Sequence, residues 1–277
     1  MLCDMHVHSD CSDGSFSPEE LIVEAQREGI KAIALCDHNT IAGLVRFANA
    51  AKNSDVIAVP GVEVTAAYEG KEVHILGLFL KEKYYPEITE YLAQINIRKI
   101  ENNKLLTSRL NAGGFAICYA SVLEIAGTAI PNRVHFAKEL VEKGYAASIS
   151  DAFETILAEN GEFYKPAEKI DALEVIRFLS SVNAVPVLAH PFLNFSGEKL
   201  REFLPKAIKC GLVGMETIYP LFSKEESVSA QEIAKEYGLA ASGGSDFHGT
   251  NKPDIKMGHG KNNIAVPYQF YENLIMF

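Results

Sequence analysis

Short apolar runs alternate with amphipathic segments through most of this chain, and that alternation restricts the fold more than any other feature. Ala32-Ile33-Ala34-Leu35-Cys36 is a continuous apolar run, the pattern of a strand covered on both faces in a parallel sheet. Residues 2–8 alternate and read as a shorter strand ahead of it. Between the two, Ser17-Pro18-Glu19-Glu20 predicts a helix start. Ser17 suits the N-cap, Pro18 the first turn and Glu20 the reciprocal capping-box position. Leu21, Ile22 and Ala25 give that helix a buried face, and Gly29 ends it. A second helix is expected over 40–53, then strands over 56–64 and 72–80 joined by a turn at Glu69-Gly70. The alternation resumes near residue 170, with helices over 171–181, 199–210 and 223–237 and strands over 185–189, 214–218 and 239–243. Repeated strand–helix units place the chain in the α/β class, with a parallel sheet or barrel.

Residues 86–168 break the pattern. A long polar helix over 86–111 meets Gly113-Gly114, and short helices follow over 119–126, 132–143 and 150–159. The expected organisation is a barrel domain from 1–85 and 169–277, with 86–168 as a small helical insertion. Insertions of this kind often cap the C-terminal face of a barrel, where the chemistry sits.

With 277 residues, 48% of them hydrophobic, the chain can build a substantial core. Its formal charge of −10 argues against a generic nucleic-acid coat, which needs a basic face, and no stable binding of duplex nucleic acid is expected. It leaves room for a nucleotide or short oligonucleotide, because bound divalent cations reverse the local potential. The five cysteines are odd in number and form no CxxC pair, which fits a reducing compartment. Asp4 and His6 interrupt the N-terminus at once, so no signal peptide is expected, and no apolar run approaches the roughly 20 residues of a membrane helix. A cytoplasmic protein with no membrane partner is the expectation.

The residues that carry chemistry stand where strands end. His6 and His8 are two apart, so on a strand they point to one face. Asp13 follows in a turn with Gly14 and reads either as a turn aspartate or as a group bent back toward the same site. His38, in Asp37-His38-Asn39-Thr40, comes directly after an apolar strand. Glu63, in Pro60-Gly61-Val62-Glu63, is a charge after an apolar run and calls for a partner, of which a metal is the natural one. His74 interrupts an apolar strand and alone would read as a hydrogen-bonded core histidine. His190 ends a strand before Pro191, and Asp246 and His248 repeat the two-residue spacing after a Ser242-Gly243-Gly244 stretch read as flexible. Each has a bland explanation singly; their recurrence at successive strand ends points to metal. Nitrogen and oxygen donors alone exclude a thiolate structural zinc site and suit zinc, manganese or iron in a catalytic one.

As a set, these motifs resemble the PHP family, named for polymerase and histidinol phosphatase, within the wider amidohydrolase-like metal hydrolases. The resemblance runs over nearly the whole chain: HxH at His6/His8, the Asp13 turn, DHNT at 37–40, GVE at 61–63, His74, AHP at 189–191 and SDFH at 245–248. It implies a distorted (β/α)7 barrel and a site of three divalent cations. One cation would take His6, His8, Glu63 and Asp246; a second Glu63 as bridge with His74 and His190; a third Asp13, His38 and His248. Within the insertion, Pro131-Asn132-Arg133-Val134-His135-Phe136 resembles the insert of small PHP phosphoesterases that act on nucleoside 3′,5′-bisphosphates, some of whose relatives trim short RNA from the 5′ end. There the matching Arg and His face the substrate phosphate. Asn132 would N-cap a helix and set Arg133 and His135 in its first turn, where free N–H groups and the guanidinium meet an anion. The plain alternative is an amphipathic helix with Arg133 in solvent. His259 reads as a substrate contact or as an ordinary loop histidine.

The function so implied is metal-dependent hydrolysis of a phosphate ester by a metal-activated hydroxide, with His135 or water protonating the leaving oxygen. The substrate would be a nucleoside 3′,5′-bisphosphate or a short 5′-phosphorylated oligoribonucleotide. Competing readings are histidinol phosphate or another small phosphate ester, C–N hydrolysis of the amidohydrolase type, and a non-catalytic PHP interaction module.

Overall fold

The computed structural model describes residues 1–127, 129–158, 161–165, 168–260 and 264–277. They form two compact units, Met1–Leu92 with Lys169–Phe277, and Ala93–Glu168.

The first unit is built on seven strands in the order β1 (Leu2–Val7), β2 (Ile30–Leu35), β3 (Ile57–Tyr68), β4 (Lys71–Leu78), β5 (Val185–Leu188), β6 (Gly214–Ile218) and β7 (Ala240–Gly243). Helices α1 (Pro18–Arg27) and α2 (Leu44–Ala51) follow β1 and β2, and α3 (Tyr85–Ala112) begins after β4. Helix α1 has the predicted start: Ser17 accepts from Glu20 N while the Glu20 carboxylate accepts from Ser17 N at 2.8 Å. Helix α2 is shorter than expected because the chain before it is tied to β3. Asn39 N donates to Glu63 O at 2.9 Å, and Thr65 N donates to the Asn39 side chain at 3.0 Å.

The sheet is mixed. β4 runs antiparallel to both β3 and β5, because β3 and β4 share a two-residue hairpin. Glu69 and Gly70 turn it at φ 49° and 79°, the positive-φ pair of a tight hairpin whose twist matches its strands. The remaining pairings are parallel. The seven-stranded α/β architecture is as expected, but the ladder is open rather than closed. The segment after β7 returns to β1 instead: Asp246 N donates to His6 O and His8 N to Phe247 O, each at 2.9 Å. The interior is filled by Met5, Ala34, Leu76, Leu78 and Val187.

The second unit takes the rest of α3, then α4 (Tyr119–Ala126), α5 (Arg133–Glu142) and α6 (Ile149–Glu154). Its core holds Leu106, Leu110, Val122, Phe136, Leu140 and Leu157. The helix expected over 150–159 ends at Glu154, and residue 159 lies outside the described residues. Back in the first unit, α7 (Ala172–Ser181), α8 (Gly197–Lys209) and α9 (Lys224–Glu236) alternate with the last strands. A final helix, α10 (Tyr268–Leu274), has no counterpart in the sequence reading.

Candidate metal centre

Buried carboxylates hold the loops that carry the site. Asp37 accepts from Ser9 N at 2.8 Å and from the Ser9 and Ser12 hydroxyls at 2.6 Å each, which fixes the loop leading to Asp13. Asp4 accepts from Ser245 N at 2.8 Å and Gly258 N at 2.7 Å, which fixes the loop carrying Asp246. Burial raises both carboxyls to about 6 against those hydrogen bonds. The Ser242-Gly243-Gly244 stretch is not a flexible hinge. A Cβ at Gly244 would lie 2.4 Å from the Cβ of His6, so the glycine permits close approach. His190 (φ 28°) and Asp246 (φ 52°) both hold left-handed backbone, a strain that persists only where the surroundings enforce it.

Glu63 is the hub. Its Oε2 lies 3.3 Å from His6 Nε2, 3.3 Å from His8 Nε2 and 3.0 Å from His38 Nδ1. Its Oε1 lies 2.8 Å from His74 Nδ1 and 3.1 Å from His190 Nε2. The β3–β4 register explains the His74 contact: Glu63 pairs with Leu76 and Thr65 with His74, so the two side chains are diagonal neighbours on one face. Around this hub, Asp246 Oδ1 lies 3.1 Å from His8 Nε2 and 3.5 Å from His248 Nδ1. Asp13 lies 3.3 Å from His248 Nε2 and 3.8 Å from His38 Nε2. All nine candidate metal residues therefore stand in one continuous cluster.

The chemistry of that cluster fits cations. His6 Nε2 and His8 Nε2 face each other at 3.0 Å, both beside Glu63 Oε2. The buried Nδ1 atoms of His8 and His190 have no hydrogen-bond partner. Burial, with His248, drives the His8 imidazole down to about 3. Burial opposes charge on His74 too, but Glu63 and Glu72 outweigh it and raise that ring to about 10. Burial likewise opposes charge on Glu63, yet His38, His6 and His74 hold its carboxyl well below the usual range. Among the described residues, three sets of donor atoms each lie within 4.8 Å of one another: His8, Asp13, His38 and His248; His6, His8 and Glu63; and His38, Glu63 and His74. Imidazole and carboxylate donors in this arrangement suit divalent metals. His8 and His38 each belong to two sets, so the geometry does not divide as neatly as the assignment the family resemblance implied.

Several groups at the site were missed. Glu216, fully buried in β6, accepts from His6 Nδ1 at 3.1 Å and from His190 N at 2.6 Å. It thereby fixes the His6 tautomer with Nε2 turned to Glu63. The signal was present: a carboxylate inside Gly214-Met215-Glu216-Thr217-Ile218 is the anomaly that identified Glu63. Glu72 performs a similar task, lying between His74 Nε2 at 3.1 Å and Lys169 Nζ at 2.7 Å. The Tyr219 hydroxyl donates to Asp246 Oδ2 at 2.8 Å, and Lys252 Nζ reaches the same oxygen at 2.8 Å. Glu216→Gln keeps the shape but weakens both anchors. It is expected to lower cation affinity by about 10- to 100-fold, the usual effect of losing an outer partner, with turnover recovering at saturating metal. Titration of metal-stripped protein measures it.

The residues expected in the insertion belong to the second unit. Asn132 is the N-cap of α5: its side chain accepts from Val134 N at 3.1 Å, and His135 Nδ1 accepts from Asn132 N at 3.0 Å. Arg133 lies over the rings of Phe153 and Tyr164, at 4.5 and 4.7 Å from their centroids. His259 stands apart from the histidine cluster. Its Nε2 lies 3.5 Å from Glu28, at the start of β2 and so at the end of that strand opposite His38.

Fold and site together are those of a histidine-rich α/β metal hydrolase. The PHP domain family model matches residues 4–173, and the chain belongs to that family. It is 31% identical over 88% of its length to a 5′-3′ exoribonuclease of Haemophilus influenzae, covering 89% of that protein. It is 30% identical over 90% of its length to a phosphoribosyl 1,2-cyclic phosphate 1,2-diphosphodiesterase of Eggerthella lenta, covering 95% of it. A 3′,5′-nucleoside bisphosphate phosphatase of Chromobacterium violaceum is 28% identical over 92% of the chain and 90% of its own length. Among solved structures, a Bifidobacterium adolescentis protein described as a metal-dependent phosphoesterase superposes with a TM-score of 0.86 at 26% identity, over 99% of this chain and 95% of that one.

Proposed function

We propose that this protein is a metal-dependent phosphoesterase that acts on nucleotides, releasing phosphate from a nucleoside 3′,5′-bisphosphate or trimming short 5′-phosphorylated oligoribonucleotides. The observation that carries the reading is Glu63, one buried carboxylate within 3.3 Å of five imidazoles and using both oxygens. The names of the relatives support the phosphoester class. His6, His8, Asp13, His38, Glu63, His74, His190, Asp246 and His248 would hold up to three cations, of manganese, zinc or iron. Divalent cations held there would supply Lewis-acid chemistry and neutralise phosphoryl oxygens.

Arg133 and His135, in the helical unit, are the residues proposed to contact substrate. The capping box occupies the N–H groups of Asn132, Val134 and His135, so the phosphate contact expected here falls to the Arg133 fork, whose plane is fixed by stacking on Phe153 and Tyr164. His135 accepts at Nδ1 from Asn132 N, so its neutral ring carries the proton at Nε2, the atom that would donate to a leaving oxygen. Five free cysteines and the absence of any described helix long and apolar enough to cross a membrane are in keeping with work in the cytoplasm.

A phosphate-release screen on manganese-loaded protein tests the reading. Its arms are nucleoside 3′,5′-bisphosphates, short 5′-phosphorylated RNAs, histidinol phosphate and phosphoribosyl 1,2-cyclic phosphate. The last arm answers a second reading, favoured by the Eggerthella lenta relative. Turnover of the nucleotides is expected; silence in every arm would end the phosphoesterase assignment. Arg133→Ala should raise KM for a phosphorylated nucleotide by about tenfold or more, the worth of a charged hydrogen bond, with metal content unchanged. Unaltered kinetics would remove Arg133 from the substrate site.

A further inference from the structure

Beside the metal centre lies a cavity of about 270 Å³ lined by the segments Tyr219–Leu221 and Lys252–Ile255, with Ser245 and Asp246. Asp246 is the wall the two share. Its Oδ1 faces His8 Nε2 at 3.1 Å, while its Oδ2 is held by the Tyr219 hydroxyl and Lys252 Nζ, each at 2.8 Å. A group lodged in the cavity is therefore one carboxylate away from the reacting centre.

The lining states what that group is. Pro220, Leu221, Pro253 and Ile255 offer apolar contact, and the Tyr219 ring adds an aromatic edge. Leu221 lines the cavity and is 56% exposed, so its side chain is reachable from solvent. The carboxylates of Asp246 and Asp254 disfavour a second phosphate here. The fitting occupant is uncharged, mainly apolar and joined to the phosphate that the histidine cluster engages. On the nucleotide reading, that is a nucleobase. Lys252 stands at the junction: an ammonium has three N–H donors, and Asp246 takes one.

Resting on the phosphoesterase reading above, we propose that this cavity is the nucleobase subsite, with Leu221 and Ile255 as its apolar walls and Lys252 as the cation between base and phosphate. It would set the preference for nucleotides over simple phosphate esters, a role that neither the metal residues nor Arg133 fills.

The test places a charge on each apolar wall separately, as Leu221→Glu and Ile255→Glu, with melting curves to confirm folding. Calorimetric titration of metal-loaded protein with adenosine monophosphate, and in parallel with ribose 5-phosphate, gives a readout independent of turnover. Both variants should bind adenosine monophosphate about tenfold or more weakly, the effect of replacing one apolar wall by a charge. The ratio of kcat/KM for adenosine 3′,5′-bisphosphate over methyl phosphate should fall by a similar factor. Equal losses for adenosine monophosphate and ribose 5-phosphate, or no loss for either, would overturn the subsite. If the wild type hydrolyses no phosphate ester, the phosphoesterase reading fails, and the binding comparison still decides whether the cavity holds a base.

Discussion

Exhaustive chelation is expected to abolish phosphate release, and adding back manganese or a similar divalent cation to restore it. The expectation rests on what the side chains cannot do alone. Buried imidazole nitrogens face one another, His6 Nε2 against His8 Nε2 at 3.0 Å, and the Nδ1 atoms of His8 and His190 have no hydrogen-bond partner. A buried polar atom left this way costs about 1–3 kcal/mol, and shared protons cannot satisfy the whole set. Cations relieve the facing pairs, because each neutral imidazole then points the lone pair of one nitrogen at a positive charge and carries its proton on the other. The same argument predicts a stability effect. A ligand at a hundred times its Kd stabilises the folded chain by about 2.7 kcal/mol, so the loaded protein should melt clearly above the stripped one. Loading should also release protons, since imidazole must be deprotonated to bind metal, and cation affinity should therefore rise with pH. Full turnover in chelated protein, with an unshifted melting curve, would leave the cluster without its proposed task.

Much of this was legible in the sequence because its signals were local. HxH on a strand, a capping box at Ser17 and Glu20, and an Asn–x–x–His start at Asn132 each depend on neighbours within a turn. The site residues were legible for a related reason: a charge or imidazole in an apolar run contradicts the run and demands a partner, as Glu63 and His74 do. What escaped depended on distance along the chain. Glu216 contradicts its strand as openly as Glu63, but its value lies in reaching His6, 210 residues away, and the backbone of His190. Gly244 read as freedom and proved to be close approach, because only the folded chain puts the His6 Cβ against it. The length of α2 was misjudged likewise, since Asn39 spends its hydrogen bonds on β3 rather than on a helix. The open ladder between β7 and β1 has no local signature, because it follows from where Asp246 and Phe247 meet β1.

Replacing Glu63 by glutamine is expected to be the most damaging single change at the centre. The side chain keeps its size, so Val62 and Val64, both buried beside it on β3, need not move. What changes is charge and the sense of two or three contacts. Oε2 serves His6, His8 and His38, and Oε1 serves His74 and His190. An amide has one acceptor and one donor, so either orientation turns an N–H2 group toward two or three imidazoles and leaves no anion among five. An outer partner such as Glu216 acts on a donor only through orientation, and its loss typically costs about 10- to 100-fold in cation affinity. Glu63 is itself the shared donor, so Glu63→Gln should exceed that range, losing bound metal at stoichiometric loading and more than about a hundredfold in kcat/KM. Metal analysis beside the phosphate-release assay separates the two losses. Glu72→Gln serves as the internal comparison, since Glu72 touches one histidine of the cluster from outside and should cost far less. If Glu63→Gln retained its metal and turned over like the unaltered protein, Glu63 would be no bridge, and the cations would have to be assigned to the His8, Asp13, His38 and His248 set alone.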